Sequence, residues 1–218
     1  MFKNRLDAGE RLANLISENG VVFDFLFACP RGGVEVAFPI AKQFKKEIIP
    51  LFSHKIPSSI NEEFAIGAVS IDGEYIINEY GKSEPGEYLE EIIRKTVDLL
   101  KKRKDGYGVS FDFTSIKDKI VLIVDDGIAT GETLFVGVKS ILKHKPKEIY
   151  VAVPVSSYEG YLKLSEISKV IALHIDKYFF AVSQYYDEFS QLSDDEVKKY
   201  LALSKEFSKI QKIDGTFL

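Results

Sequence analysis

Two adjacent carboxylates, Asp125 and Asp126, and the turn that follows them, Gly127-Ile128-Ala129-Thr130-Gly131-Glu132-Thr133, are the residues best suited to chemistry. A carboxylate pair can accept hydrogen bonds from sugar hydroxyls, hold a divalent cation such as Mg2+, or end a strand with polar groups. The turn offers backbone amides at the start of a helix, and Thr130 and Thr133 add hydroxyl donors, so an anion can be held there with little basic charge. Together these features suit a phosphorylated, hydroxyl-bearing ligand. A Walker loop is excluded, because Glu132 stands where its lysine would be, and no G-x-G-x-x-G fingerprint supports a dinucleotide.

A second turn of this kind is Pro30-Arg31-Gly32-Gly33. Glycine permits close backbone approach and a guanidinium adds charge-assisted hydrogen bonds, so the turn suits either a tight chain reversal or a second anionic group. His54-Lys55 lies at the edge of the polar stretch Ile56–Ala65, which has neither helical nor strand period and predicts a long loop that could act as a lid.

The elements that position these residues follow from periodicity. Val121–Val124 is apolar throughout and predicts a strand buried on both faces at the centre of a sheet. Before it, a helix over residues 3–18, a strand over Val21–Cys29, a helix over Val34–Phe44 and a strand over Ile48–Ser53 place PRGG at a strand-to-helix junction. Ala68–Ile71 and Tyr75–Asn78 flank Asp72-Gly73 as a hairpin, and Tyr88–Lys104 has helical spacing and should dock on the sheet. Asp105–Lys119 is a weakly patterned connection. Helix Leu134–Leu142, strand Glu148–Val153, helix Tyr158–Ile167 and strand Val170–Leu173 continue the alternation. The fold class is α/β, with a mostly parallel central sheet covered by helices on both faces. The tail differs: Tyr178-Phe179-Phe180, Tyr185-Tyr186 and Phe189 cluster, and Ser193 with Glu196 forms a capping box for a last helix.

Composition narrows the function classes. With 218 residues, 45% hydrophobic and 28% charged, one domain over 1–218 is expected, with a lid at about 54–80 and an aromatic and helical cap at about 176–218. A net charge of −4 argues against a nucleic-acid partner, and the run Lys101–Lys104 reads as a solvated helix end. No apolar run is long enough to cross a bilayer, and the charged amino terminus lacks a signal-peptide centre, so a cytoplasmic protein is expected. The single Cys29 ends an apolar run and reads as a small buried side chain rather than a nucleophile.

Val121–Thr133 closely resembles the phosphoribosyl-pyrophosphate (PRPP) motif of type I phosphoribosyltransferases, and Pro30–Gly33 resembles their pyrophosphate loop. Phe64–Gly73, Ala152–Val155 and Phe179–Val197 extend the resemblance to an uncharacterised branch of that superfamily, over most of the chain. Lys102–Val109 departs from the family pattern in lacking an Arg-Gly-Gly-rich turn.

The resemblance implies transfer of a 5-phosphoribosyl group from Mg2+-PRPP to a nitrogen acceptor, such as a nucleobase, with release of pyrophosphate. It implies that Asp125 and Asp126 hold the ribose hydroxyls, and Mg2+ through water, and that Gly127, Ala129, Thr130, Gly131 and Thr133 hold PRPP at its 5-phosphate. Arg31, Gly32, Gly33 and Lys55 would meet pyrophosphate; Asp125, Asp126, Arg31 and Lys55 would carry the catalysis. Phe179, Phe180 and Tyr186 are candidates to stack on the acceptor, unless they pack on the main sheet, and an exposed aromatic cap would suit a homodimer. A non-catalytic regulator that binds PRPP or a nucleotide is the alternative on the same fold. A phosphatase with Asp125 as nucleophile lacks the downstream lysine and acidic metal motif.

Overall fold

In the computed structural model the backbone is described over residues 1–214 and the side chains over 1–209; positions 215–218 of the expected cap lie outside the described residues. The chain order is α1 (Arg5–Glu18), β1 (Phe25–Ala28), α2 (Gly32–Phe44), β2 (Ile48–Pro50), β3 (Ser53–Pro57), β4 (Ala65–Ser70), β5 (Tyr75–Ile77) and α3 (Gly86–Tyr107). It continues through β6 (Ile120–Val124), α4 (Glu132–Leu142), β7 (Glu148–Ser157), α5 (Tyr158–Ser165), β8 (Lys169–Asp176) and α6 (Asp194–Asp214).

Five strands form the main sheet in the order β2-β1-β6-β7-β8, every pair parallel, with β6 at the centre. The continuous apolar run of β6 is explained by its two faces. Leu122 and Val124 join the core built by α1, α2 and α6, whereas Val121 and Ile123 join the opposite core with α4 and Leu164 of α5. Removing apolar side chains from water on both faces is what holds the layers together. Polar caps fix where several helices begin. Asn4 Oδ1 accepts from Asp7 N at α1, and Ser193 and Glu196 form the expected box at α6.

Ile48–Ser53 is not one strand. The chain leaves the main sheet after Pro50, and Ser53 begins a second, antiparallel sheet of order β3-β4-β5. Leu51 and Phe52 stay buried through the change of sheet, so hydrophobicity alone does not mark it. His54 and Lys55 consequently stand within β3, paired opposite Val69 and Ala68, and the loop expected over Ile56–Ala65 shortens to 58–64. The hairpin forms as expected. α3 docks mainly on this small sheet, through Ile92, Ile93 and Val97 against Ile56, Ile66 and Val69, while Leu100 and Tyr107 enter the main core.

Two further boundaries differ for local reasons. β1 is shorter than Val21–Cys29, because Asp24 turns outward and its carboxylate accepts from Ile120 N at 2.8 Å. β7 and β8 are longer than expected, because backbone pairing continues through polar positions as far as Ser157 opposite Asp176. α6 closes the structure over α2 and pins the edge strand β2: buried Ser204 Oγ accepts from Ile48 N at 3.0 Å. Ser204→Ala would strand that edge amide, and a loss of about 1–3 kcal/mol is expected in urea unfolding.

Candidate functional site

Parallel pairing of β1 with β6, Ala28 opposite Val124, delivers PRGG and the acidic pair side by side at the carboxyl edge of the sheet. The Pro30–Arg31 peptide is cis. A Cβ on Gly32 would fall onto Asp126 Oδ2 and lie 2.8 Å from Arg5 Nε; one on Gly33 would lie 2.8 Å from Val124 O and 2.9 Å from Asp125 Oδ1. Paired glycines are therefore what allow the first turn to rest directly on both acids.

The second turn is clamped from the side of β7. Ile128 N donates to Val155 O at 2.9 Å, Ser157 N donates to Ile128 O at 2.8 Å, and Ser157 Oγ donates to Ala129 O. Gly127 lies against Val182, and Gly131 takes a positive φ of 74° as the N-cap of α4. Neither α4 nor α2, whose N-cap is Arg31, has a side-chain cap. The first amides of a helix have no intrahelical acceptor, so both helix starts present donors at this edge. Ala129 and Thr130 are exposed there, and Gly131 and Thr133 are half-buried.

Asp125 and Asp126 do not share one environment. Asp126 Oδ2 accepts from Arg5 Nε at 2.8 Å, and its backbone carbonyl accepts from Tyr186 Oη at 2.6 Å. Asp125 Oδ1 accepts from Asp126 N at 2.8 Å. Burial, followed by repulsion from Asp126, holds the Asp125 carboxyl well above the ordinary carboxylate range; burial also raises Asp126, with Arg5 opposing the rise. Burial and the two acids likewise push the Cys29 thiol up, which agrees with an inert, buried side chain.

A cleft of about 480 Å³ opens beside the pair, lined among others by Arg31, Asp126, Val182, Phe189 and Gln191. The three candidate aromatics sit differently with respect to it. Tyr186 is buried, its ring 5.3 Å from Phe2 and 5.0 Å from Phe189, so it has no open face for an acceptor. Phe179 stacks on Tyr185, Phe180 points to solvent at 84% exposure, and neither lines the cleft. Phe189 is the tail aromatic that does. Lys55 is exposed on β3, and among the described residues no hydrogen bond or ion pair joins it to the acids or to PRGG. Its neighbour His54 has its pKa lowered by partial burial and then by the nearby charges of Arg103 and Lys55.

Arg5 was absent from the residues that sequence reasoning selects. Its signal was present: Arg5 falls on the same helical face as Ala8, Leu12 and Ile16, a charge on an apolar stripe. A guanidinium at such a place needs a buried partner.

Residues 2–189 match the phosphoribosyl transferase domain. The chain belongs to this family. Two Mycobacterium tuberculosis proteins, from strains CDC 1551 and H37Rv, carry a provisional phosphoribosyl transferase name and are each 31% identical over 99% of the chain. The chain spans about half, 50%, of their length. The crystal structure of TT1426 from Thermus thermophilus is 32% identical, with a TM-score of 0.75 over 92% of this chain and 97% of that one. A hypothetical protein from Neisseria gonorrhoeae, 17% identical over 93% of this chain and 98% of its own, shares the fold at a TM-score of 0.50. The phosphoribosyl transferase domain therefore has the expected fold class, a mostly parallel five-stranded sheet flanked by helices. No helix among the described residues is long and apolar enough to cross a membrane.

Packing and charge at the pair set two measurable outcomes. Gly32→Ala forces a methyl group into the Arg5–Asp126 contact, so a loss of about 1–3 kcal/mol is expected in thermal unfolding without ligand. Asp125 keeps its proton to higher pH when folded than when unfolded, so the ligand-free domain loses stability as pH rises from the ordinary carboxylate range through the raised value. Asp125→Asn removes that loss. At neutral pH the ligand-free variant should melt above the parent, with a flatter stability profile across the acidic range.

Proposed function

We propose that the chain transfers a 5-phosphoribosyl group from Mg2+-PRPP to a nitrogen acceptor and releases pyrophosphate. The observation that carries this reading is the seating of one acidic pair between two turns, each opening on a helix start without a side-chain cap. PRPP has the matching pattern: ribose hydroxyls between a 5-phosphate and a pyrophosphate.

In this reading Asp125 and Asp126 receive the ribose hydroxyls, and the amides of Ala129–Thr133 with the Thr130 and Thr133 hydroxyls receive the 5-phosphate. The PRGG amides and Arg31 receive pyrophosphate, and Lys55 is reached only if the small sheet or its loop 58–64 closes. Breaking the bond from the ribose carbon to pyrophosphate leaves positive charge on the ring. Two nearby carboxylates, poorly solvated and mutually repelling, stabilise that charge more than they stabilise the neutral ring. The acceptor enters the cleft beside Phe189, Val182 and Gln191. Closure over the cleft excludes water, which competes with the acceptor.

The donor set fits Mg2+. This ion takes one or two carboxylates, several waters and substrate phosphates rather than a full protein cage. Asp125, without a cation of its own, is the better ligand, and Asp126 has one oxygen engaged by Arg5. When bound, the ion neutralises charge on the departing pyrophosphate.

At one hundred times its dissociation constant, Mg2+-PRPP should add about 2.7 kcal/mol and raise the melting temperature by about 5–10 °C. Replacing both acids, Asp125→Asn with Asp126→Asn, should abolish most of this shift; an undiminished shift places the ribose elsewhere. Pyrophosphate release across purine, pyrimidine and amine acceptors tests turnover, and binding with no turnover against any acceptor would make the domain a PRPP-binding regulator.

A further inference from the structure

Arg5 sits at the first position of α1, far from the acidic pair in sequence, yet it is 94% removed from solvent, with a relative exposure of 6%. Its Nε donates to Asp126 Oδ2 at 2.8 Å and its Nη1 donates to Ser190 O at 2.7 Å. Glu35 Oε2 lies 3.8 Å from Nη1, and the guanidinium covers the Phe189 ring at 3.8 Å. Gly32 rests on the Arg5–Asp126 contact, and Tyr186 holds the Asp126 carbonyl from the other side. Residues 2 and 3 pair with residues 185–188 through Phe2 N to Tyr185 O, Asp187 N to Phe2 O and Glu188 N to Lys3 O. The amino-terminal segment and the tail thus form one roof beside the cleft.

Stability alone does not call for an arginine here. Buried ion pairs carry a desolvation cost that well-packed apolar residues avoid, whereas a fork of donors fixes the carboxylate it binds in one orientation. Lys or Met could fill the space, but neither could bind Asp126 from Nε while holding the tail carbonyl from Nη1.

We infer that Arg5 is the positioning residue of the ribose acids: its guanidinium fixes the Asp126 carboxylate by one oxygen, turns the other toward the ligand, and ties that orientation to the seating of residues 185–190. The inference rests on the reading of Asp125 and Asp126 as the ribose-binding pair. Arg5 lines the cleft and underlies Gly32, but its hydrogen bond goes to Asp126, so its loss should weaken the ribose half of the donor more than the pyrophosphate half.

The test is calorimetric titration of the full chain with two separate probes, ribose 5-phosphate and inorganic pyrophosphate with Mg2+. Arg5→Met should weaken ribose 5-phosphate about tenfold or more, the scale of a lost hydrogen bond to a charged group, while pyrophosphate stays within about twofold. Arg5→Lys, which keeps the charge, should recover part of the ribose 5-phosphate affinity. In the parent, ribose 5-phosphate should shift the Arg5 Nε–H proton resonance and pyrophosphate should not; this measurement decides the matter if Arg5→Met does not fold. Unchanged ribose 5-phosphate binding in Arg5→Met, equal losses for both probes, or a resonance indifferent to ribose 5-phosphate would each overturn the inference. A parent that binds pyrophosphate but not ribose 5-phosphate would instead overturn the assignment of the acids, and the inference with it.

Discussion

Two carboxylates at the end of a strand buried on both faces are the constraint around which this domain is arranged. Adjacent like charges repel, and at the end of β6 both side chains are only partly open to water. The surrounding chain offsets this only in part. Arg5 pairs with Asp126, a main-chain amide serves Asp125, and glycines bring the PRGG backbone against both. Burial and the repulsion that remains are what hold the Asp125 carboxyl above the ordinary range.

Much of this was legible in the sequence because the decisive residues are local. β6, its acidic end, the Gly-Thr turn and PRGG are each short contiguous segments whose periodicity and composition mark their places in the fold, and adjacent parallel strands bring them together. The change of sheet at Leu51-Phe52 was not legible, because apolar residues continue across it and only pairing partners change. The tail left two readings open for a related reason. An aromatic cluster reads the same whether its rings face a cleft or each other, and Tyr186 is spent on Phe2, Phe189 and the Asp126 carbonyl.

The second sheet adds a different kind of connection. Asn78, just after β5, donates to Glu132 Oε1 at 3.3 Å and to Ala65 O at 3.1 Å, so the hairpin is fastened to the first residue of α4. Glu132, the residue that excludes a Walker loop, is buried in this contact rather than aimed at a phosphate. The hairpin and the 127–133 turn therefore share one buried carboxylate at the start of α4.

Pairing of the first residues with residues 185–190 also sets an order of assembly. In synthesis Arg5 precedes Asp126 by 121 residues and Ser190 by 185. At ordinary synthesis rates that interval lasts roughly 10–40 s. Until Asp126 is made, the Arg5 guanidinium on the apolar face of α1 has only Glu35 as a possible partner among its folded-state acids, and the PRGG turn has no acid to rest on. The Arg5 contacts thus cannot be completed until Ser190 has been made, which leaves α1 a segment in need of shielding while the sheet is built.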